Sequence, residues 1–271
     1  MRFRLLSYNI HRAIGVDGRF RPERIEAVLQ HHDADVVLLQ EVDRNAPRSG
    51  HLDLASHFAR ALEYKFRAAG MNVFLKRGRY GNATLSRFPI SRQRNIDLTI
   101  AWRKPRGAQH TQILLPWRGG SVPIEIFNVH LGLAERVRRL QLERLLACRD
   151  FHDVPSGRAC VVAGDTNDWR GILHGQGLAD AGFICATNHA HSRKRSIKTF
   201  PSFGPIGGLD KIYYRGPMRL LHVHRSRLAL TRVASDHLPI IAEFEVHAEH
   251  ARGPHSRADA PTALVPAADS A

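Results

Sequence analysis

Lysine is scarce in this 271-residue chain: Lys65, Lys76, Lys104, Lys194, Lys198 and Lys211 are the only ones among 40 basic residues, so 34 are arginine. Against 25 acidic residues the formal charge is +15. Arginine is the planar, bidentate partner of phosphate, so the excess fits a polyanion-binding surface. Skewed codon usage would enrich it as well. Cysteine is rarer still. Cys148, Cys160 and Cys185 are odd in number and form no Cys-x-x-Cys pair, which excludes a disulfide framework and fits buried, reduced thiols. The longest clean apolar runs, such as Val36–Leu39, are strand-sized and far from the roughly 18 residues of a membrane span. The apolar stretch behind Arg2 and Arg4 breaks at Ser7 and Asn9, too early for a secretory segment, so cytoplasmic residence is expected. No Gly-x-Ser-x-Gly elbow and no Gly-rich P-loop is present, which argues against a serine esterase and a P-loop nucleotidase. The 17 histidines, His31-His32 and His222-x-His224 included, lack companions at structural-zinc spacing.

What is present suffices for a large core. Hydrophobic residues make up 43% and charged residues 24%, which excludes global disorder. From Ala248 onward the aliphatic pattern stops, so residues 248–271 read as a disordered tail. That tail sums to −1, leaving +16 on residues 1–247, which carry no repeat or linker and read as one domain. Strand-length apolar runs recur at Phe3–Ile10, Val36–Val42, Asn82–Ser86, Gln112–Leu115, Ile124–Val129, Cys160–Ala163, Lys211–Tyr214 and Leu238–Val246. Helical stripes follow Pro22 (Ile25, Val28, Leu29), run through Leu52, Ala55, Phe58 and Leu62, and span Glu135 to Arg149. In the last, Val137, Leu140 and Leu145 face inward and Arg136, Arg138, Arg139 and Arg144 outward. Many strands without strict β-α alternation predict packed mixed sheets covered by helices.

Acid, amide and imidazole groups cluster where these runs end. Asn9 and His11 close the first, Glu41 the second and His130 the fifth; Asp165 and Asn167 follow the sixth, and Asp236-His237 open the last. At strand ends such groups line a cleft without the cost of burial inside a run. A carboxylate such as Glu41 with an amide such as Asn9 suits a hard, magnesium-like cation. Asp165 is placed to take a proton from an attacking water, and His237, held as imidazolium by Asp210, to meet developing negative charge. Asn167 and His130 are donors for non-bridging oxygens. Together these are the parts of in-line attack on phosphorus.

The same residues carry a resemblance. Ser7-Tyr8-Asn9-Ile10-His11, Leu38–Asp43, Gly81–Ile90, Asn128–Leu131, Gly164-Asp165-Thr166-Asn167, Leu209–Ile212 and Ser235–Pro239, in this order, resemble the motifs of the endonuclease/exonuclease/phosphatase superfamily. The resemblance implies an α/β fold, a four-layer sandwich of two packed mixed β-sheets flanked by helices, and an Mg²⁺- or Mn²⁺-dependent phosphoesterase. It implies Glu41 as principal metal ligand with Asn9 and Asp236 beside it, Asp165 as the residue that orients or deprotonates water, and Asn167 and His130 on the phosphate. His237, paired with Asp210, is the implied phosphate-binding histidine, and Asp236 serves either metal or histidine. Thr166 stands where many members have an aromatic, and Lys211 where many have His, Tyr or Arg.

Substrate class is read from the loops, and they are basic. Lys76-Arg77-Gly78-Arg79-Tyr80, Trp102-Arg103-Lys104-Pro105-Arg106 and Arg193–Lys198 lie between the motifs. Arg77, Arg79, Trp102 and Lys211, with Asn82, are the candidate substrate contacts, the cations for extra phosphates and the aromatics for stacking. Nucleic acid, a phospholipid headgroup and an inositol phosphate all fit, as does a monomer. No long apolar loop marks membrane insertion, but the basic surface suits peripheral contact with an anionic leaflet. A non-catalytic nucleic-acid-binding module is the rival from another class; it would have no need of Asp236-His237 beside Glu41.

Overall fold

Two-residue alternation along the strands decides the architecture. A computed structural model describes residues 1–188 and 196–247; the expected tail at 248–271 and Arg193-Lys194-Arg195 lie outside these residues. In chain order the elements are β1 (Arg2–Asn9), α1 (Pro22–His32), β2 (Val36–Arg44), α2 (Leu54–Ala61), β3 (Phe66–Phe74), β4 (Arg79–Ser86), β5 (Ile90–Asp97), β6 (Gly107–Trp117), β7 (Gly120–His130), α3 (Glu135–Ala147), α4 (Arg149–His152), β8 (Cys160–Asp165), β9 (Ile184–Cys185), β10 (Asp210–Arg215), β11 (Met218–Arg225), α5 (Thr231–Ala234) and β12 (Ile240–Val246). They form two six-stranded mixed sheets, ordered β11-β12-β1-β2-β4-β3 and β5-β6-β7-β8-β10-β9.

In β1, Phe3 and Leu5 face the other sheet while Leu6 and Tyr8, with Ile10 just past the strand, face outward onto α1 and α2. Ile25, Val28 and Leu29 of α1 and Leu54, Ala55 and Phe58 of α2 cover that outer face. Leu142 and Leu145 of α3 cover the second sheet over Phe127, Val129 and Val162. The result is the expected helix-sheet-sheet-helix sandwich. In α3, Leu145 is buried as expected but Val137 and Leu140 are only half-buried, and at one position the expected polarity is reversed. Arg138 is buried, its guanidinium donating to the Gly132 and Leu133 carbonyls, so it ties down the loop behind His130 instead of facing solvent.

The interface between the sheets changes character along its length. At one end it is apolar, with Leu5, Val36, Leu38, Ile124, Ile126 and Val161. Further along the same strands come buried amides and hydroxyls: Ser7, Gln40, Asn82, Thr84, Gln109 and Asn128. Asn128 Nδ2 donates across the interface to the Leu39 and Ala83 carbonyls, and its Oδ1 accepts from Gln40 Nε2. Thr84 Oγ1 donates to Gln109 Oε1 at 2.8 Å. Directional bonds thus fix how one sheet is registered on the other, which apolar contacts alone would leave free to slide.

β3, β5, β9 and β11 were not foreseen from the apolar runs, and all four are sheet edges. An edge strand is solvated along one side and needs no continuous apolar face. In β5 five of eight side chains in succession, Ser91 to Asn95, are exposed.

Candidate active site

The candidate residues converge where β1, β2, β7 and β8 end and β10 and β12 begin. Asn9 ends β1, pairing with Gln40 of β2, and Glu41 is next. β2 bulges between Leu39 and Val42, and Glu41 sits there at φ 55°, a left-handed conformation that costs a non-glycine residue about 1 kcal/mol or more. Across the interface, Gly164 lets β7 and β8 close beside Asp165. Its φ is 142°, and a Cβ there would lie 2.0 Å from the Val129 carbonyl oxygen. Asp165 lies opposite both His130, across the parallel β7–β8 pair, and Asp210, across the antiparallel β8–β10 pair.

Asp165 is the hub. It is 1% exposed. Its Oδ2 accepts from Asn9 Nδ2 at 2.9 Å, a bond between the sheets, and its Oδ1 accepts from the Asn167 backbone N–H at 3.0 Å. His130 Nε2 is 3.4 Å and His237 Nε2 3.8 Å from the same Oδ2. Burial pushes the Asp165 carboxyl up; the His237 charge, the Asn9 amide and the Asn167 N–H pull it back, and Asp210 opposes them, leaving it at about 6.

His237 is polarised the other way. Its Nδ1 is 2.9 Å from Asp210 Oδ2, which also accepts from Thr199 Oγ1 at 2.5 Å. Burial favours the neutral ring, but the Asp210 and Asp165 charges, the Asp210 hydrogen bond and Asp236 outweigh it and hold the imidazolium up to about pH 10. The two histidines therefore carry different charge. His130 Nδ1 faces Arg106 Nη1 at 3.3 Å. A guanidinium only donates, so Nδ1 is the acceptor and the ring proton belongs on Nε2, toward Asp165. Burial, then the charges of Arg106, His237 and Lys104, hold His130 well below the ordinary imidazole range, hence neutral.

Oxygen donors for a cation lie on three neighbouring strands of the first sheet, Asp236 before β12, Asn9 at the end of β1 and Glu41 at the bulge in β2. Glu41 Oε2 is buried without a hydrogen-bond donor, with Arg12 Nε 3.5 Å away as its ion-pair partner. A buried anionic oxygen that accepts no hydrogen bond, one residue from the Gln40 that pairs with Asn9, fits a hard divalent cation. Asp165, Asp210 and His237 also bring one ligand atom each within 4.8 Å of one another, the one such His/Cys/Asp/Glu set among the described residues. His237 Nδ1 is already committed to Asp210 there, so this set is better suited to holding protons.

Asn9, His130, Asp165, Asn167, Asp210 and His237 are thus brought together, and the Asn167 N–H bond to Asp165 Oδ1 closes Asp165-Thr166-Asn167 as an Asx-turn. Two expected substrate contacts are not in the cleft. Lys211 follows Asp210 on β10, so its side chain leaves the opposite face; it is 1% exposed and its Nζ lies 3.5 Å from Asn188 Oδ1. Asn82 is buried between the sheets, its amide donating to the Gly107 and Asn128 carbonyls at 3.2 and 2.9 Å, so it braces the strands that carry Arg106 and His130. Arg77 and Trp102 on loops and Arg79 at the start of β4 are exposed at the catalytic end, with the Arg79 guanidinium 4.8 Å over the Phe74 ring. Arg106, Thr199 and Arg12 were missed as members of the site. Arg106 was one of several arginines in a basic loop, and only its burial sets it apart.

Comparison with known proteins gives three findings. The family model described as "Endonuclease/Exonuclease/phosphatase family" matches residues 6–237. An uncharacterized Escherichia coli (strain K12) protein, YbhP, is 31% identical over 255 residues, covering 90% of this chain and 96% of YbhP. Among solved structures, D. rerio TDP2 complexed with single strand DNA product superposes with a TM-score of 0.68 at 18% identity, covering 90% of this chain and 99% of TDP2. A mannosyl-6-phosphatase from Bacteroides thetaiotaomicron gives 0.68 at 16% identity, with 90% and 99% covered.

Proposed function

This chain belongs to the Endonuclease/Exonuclease/phosphatase family, and from that premise we propose that it is a divalent-metal-dependent phosphodiesterase using Mg²⁺ or Mn²⁺. The observation that carries the reading is the buried Asp165 carboxylate, held by Asn9 and Asn167 with His130 and His237 within 3.4 and 3.8 Å of one oxygen.

Glu41, Asn9 and Asp236 would hold the cation. When bound it supplies neutralisation of charge on the phosphoryl oxygens. The protein's own groups do the rest. Asp165 accepts the proton of the attacking water through Oδ2, and its pKa of about 6 suits a base that must be ionised at neutral pH yet able to take a proton. Asn9 and Asn167 fix both carboxylate oxygens, so the base has one orientation. His237 presents a charged Nε2–H and His130 a neutral Nε2–H, two donors of different strength for the phosphoryl oxygens. Arg106 and Thr199 hold those rings through His130 Nδ1 and the Asp210 carboxylate. Monomer state and cytoplasmic residence belong to the same proposal. A purely binding role does not account for a base and two differently charged histidines on one buried carboxylate.

The test is turnover of bis(p-nitrophenyl) phosphate. Mg²⁺ or Mn²⁺ should support it, EDTA should abolish it, and Asp165→Ala should cost on the order of 10²- to 10⁴-fold in kcat. Turnover that survives EDTA, or is unchanged in Asp165→Ala, refutes the reading.

A further inference from the structure

Nine large hydrophobic side chains are exposed among the described residues, and they are distributed unevenly. Eight lie at the catalytic end of the sandwich. Val16 follows β1, Phe74 closes β3, Trp102 lies between β5 and β6, Leu133 follows β7 and Trp169 follows β8. Phe203 and Ile206 precede Asp210, and Val233 stands three residues before Asp236. The exception, Ile184, pairs with Tyr214 at the far end of β10. The turns at the opposite end, from α1 to β2, α2 to β3, β4 to β5, β6 to β7 and β10 to β11, expose none.

A lone exposed apolar residue carries no message, but eight on the loops of one end do. The exposure is deep as well: Trp102 is 89%, Leu133 75%, Phe203 70% and Ile206 69% exposed. Each loop contributes only one or two such tips, so no apolar run in the sequence marks them. Exposed basic residues stand on the same loops or just beyond them, Arg77, Arg103 and Arg136 among them, while Arg170 is paired with Glu135 at 3.2 Å. Beside Trp169 and Ile206, Lys198, Arg225 and Arg227 line a groove of about 660 Å³ with no acidic residue among the described residues of its walls. This groove reaches the catalytic site through aromatic contacts: Trp169 meets Phe200 edge-on at 5.9 Å, and Phe200 lies 5.0 Å from the His237 ring.

Three occupants suit a basic face, and the apolar tips separate them. Nucleic acid would use the cations and stack on the aromatics, but Val16, Leu133, Ile206 and Val233 have no π-face to offer and would lose nothing by being polar. A second copy of this chain would set the arginines against themselves across a two-fold axis. An anionic bilayer uses both sets of residues, because apolar tips enter the boundary between headgroups and acyl chains while basic side chains meet lipid phosphates. We infer that the catalytic end docks on an anionic phospholipid surface and that the ester cleaved there belongs to a phospholipid headgroup, the second part resting on the phosphodiesterase reading. Docked in this way, the Asp165–His237 cleft opens onto the headgroup layer.

The experiment pairs vesicle sedimentation with bis(p-nitrophenyl) phosphate turnover, using the full chain. Vesicles of phosphatidylcholine alone are compared with vesicles also containing phosphatidylglycerol. Expected is binding to the anionic vesicles that high salt weakens. Leu133→Ser and Phe203→Ser should each weaken it roughly tenfold, the worth of one buried apolar side chain, with soluble-substrate turnover unchanged as the control for folding. Release of a water-soluble phosphorus-containing headgroup product should fall with binding. If the wild type turns over the soluble diester but ignores anionic vesicles, docking is overturned while the phosphodiesterase reading stands. If it binds vesicles in the expected way but hydrolyses no diester, docking stands and the catalytic reading fails. Tight salt-sensitive binding to single-stranded DNA without vesicle binding, or a concentration-dependent dimer broken by Leu133→Ser, would also overturn the inference.

Discussion

The charge on His237 depends on Asp210, and Asp210→Asn isolates that dependence. The substitution keeps shape and hydrogen-bonding capacity, because an amide oxygen still accepts from His237 Nδ1 and Thr199 Oγ1, but it removes a buried negative charge 2.9 Å from the ring. Burial disfavours the imidazolium, and Asp210 is the leading reason that it nevertheless persists to about pH 10 instead of 6.5. That difference is worth about 5 kcal/mol in favour of the charged ring. With Asp210 neutral the desolvation remains and only Asp165, at 3.8 Å, and Asp236 oppose it, so the titration should fall to neutrality or below. The sign follows: a raised pKa means the charged donor is present below about 10 and lost above it, and the variant should lose it several pH units earlier. kcat for bis(p-nitrophenyl) phosphate, measured with Mg²⁺ across the pH range, should show an alkaline limb moved toward neutrality. At pH 8 it should be about 10²- to 10³-fold lower, the usual cost of one charge-stabilising donor. A variant with wild-type kcat and an unmoved alkaline limb would refute the assignment of His237 as a charged donor.

Two further substitutions probe the supports of the site. Arg106→Met keeps much of the volume but removes the donor to His130 Nδ1 and a nearby positive charge. The His130 titration should therefore move up and its Nε2–H tautomer should lose its fixed population, both visible by ¹⁵N NMR, with kcat reduced; an unchanged His130 spectrum would remove Arg106 from the site. Asn128→Ala strips the interface of the amide that serves Leu39, Ala83 and Gln40, leaving buried partners unsatisfied. At about 1–3 kcal/mol per group, the loss should be about 3 kcal/mol or more and the Tm should fall by roughly 10 °C; a thermal melt within a degree or two of wild type would show that the amide band does not hold the sheets.

The legible part of the fold was the part buried on both sides. β1, β2, β7 and β8 are interior strands whose apolar runs stop at Asn9, Glu41, His130 and Asp165, so the runs revealed both the strands and the residues at their ends. What stayed hidden depends on the third dimension. Arg106 resembles its neighbours Arg103 and Lys104 until the β6–β7 register sets the adjacent Gly107 opposite His130. Lys211 and Asp210 are adjacent in sequence and on opposite faces of β10, and a motif cannot say which of two neighbours enters the cleft. The polarity of its residue type places Arg138 outside, whereas the Gly132 and Leu133 carbonyls, whose need of a donor no sequence pattern reveals, draw it inside.

The order of strands also governs when the site comes into being. The second sheet is drawn from one unbroken stretch, β5 to β10, whereas the first is made from both flanks of the chain, with β12 seated between β11 and β1. His130, Asp165 and Asp210 therefore belong to a sheet whose strands all emerge from the ribosome before the first sheet can close. Asn9 has no finished sheet to hold it against Asp165 until Ile240–Val246 has been made. Until that strand is made a nascent chain has only part of the candidate site, with the Asn9–Asp165 bond between the sheets still open.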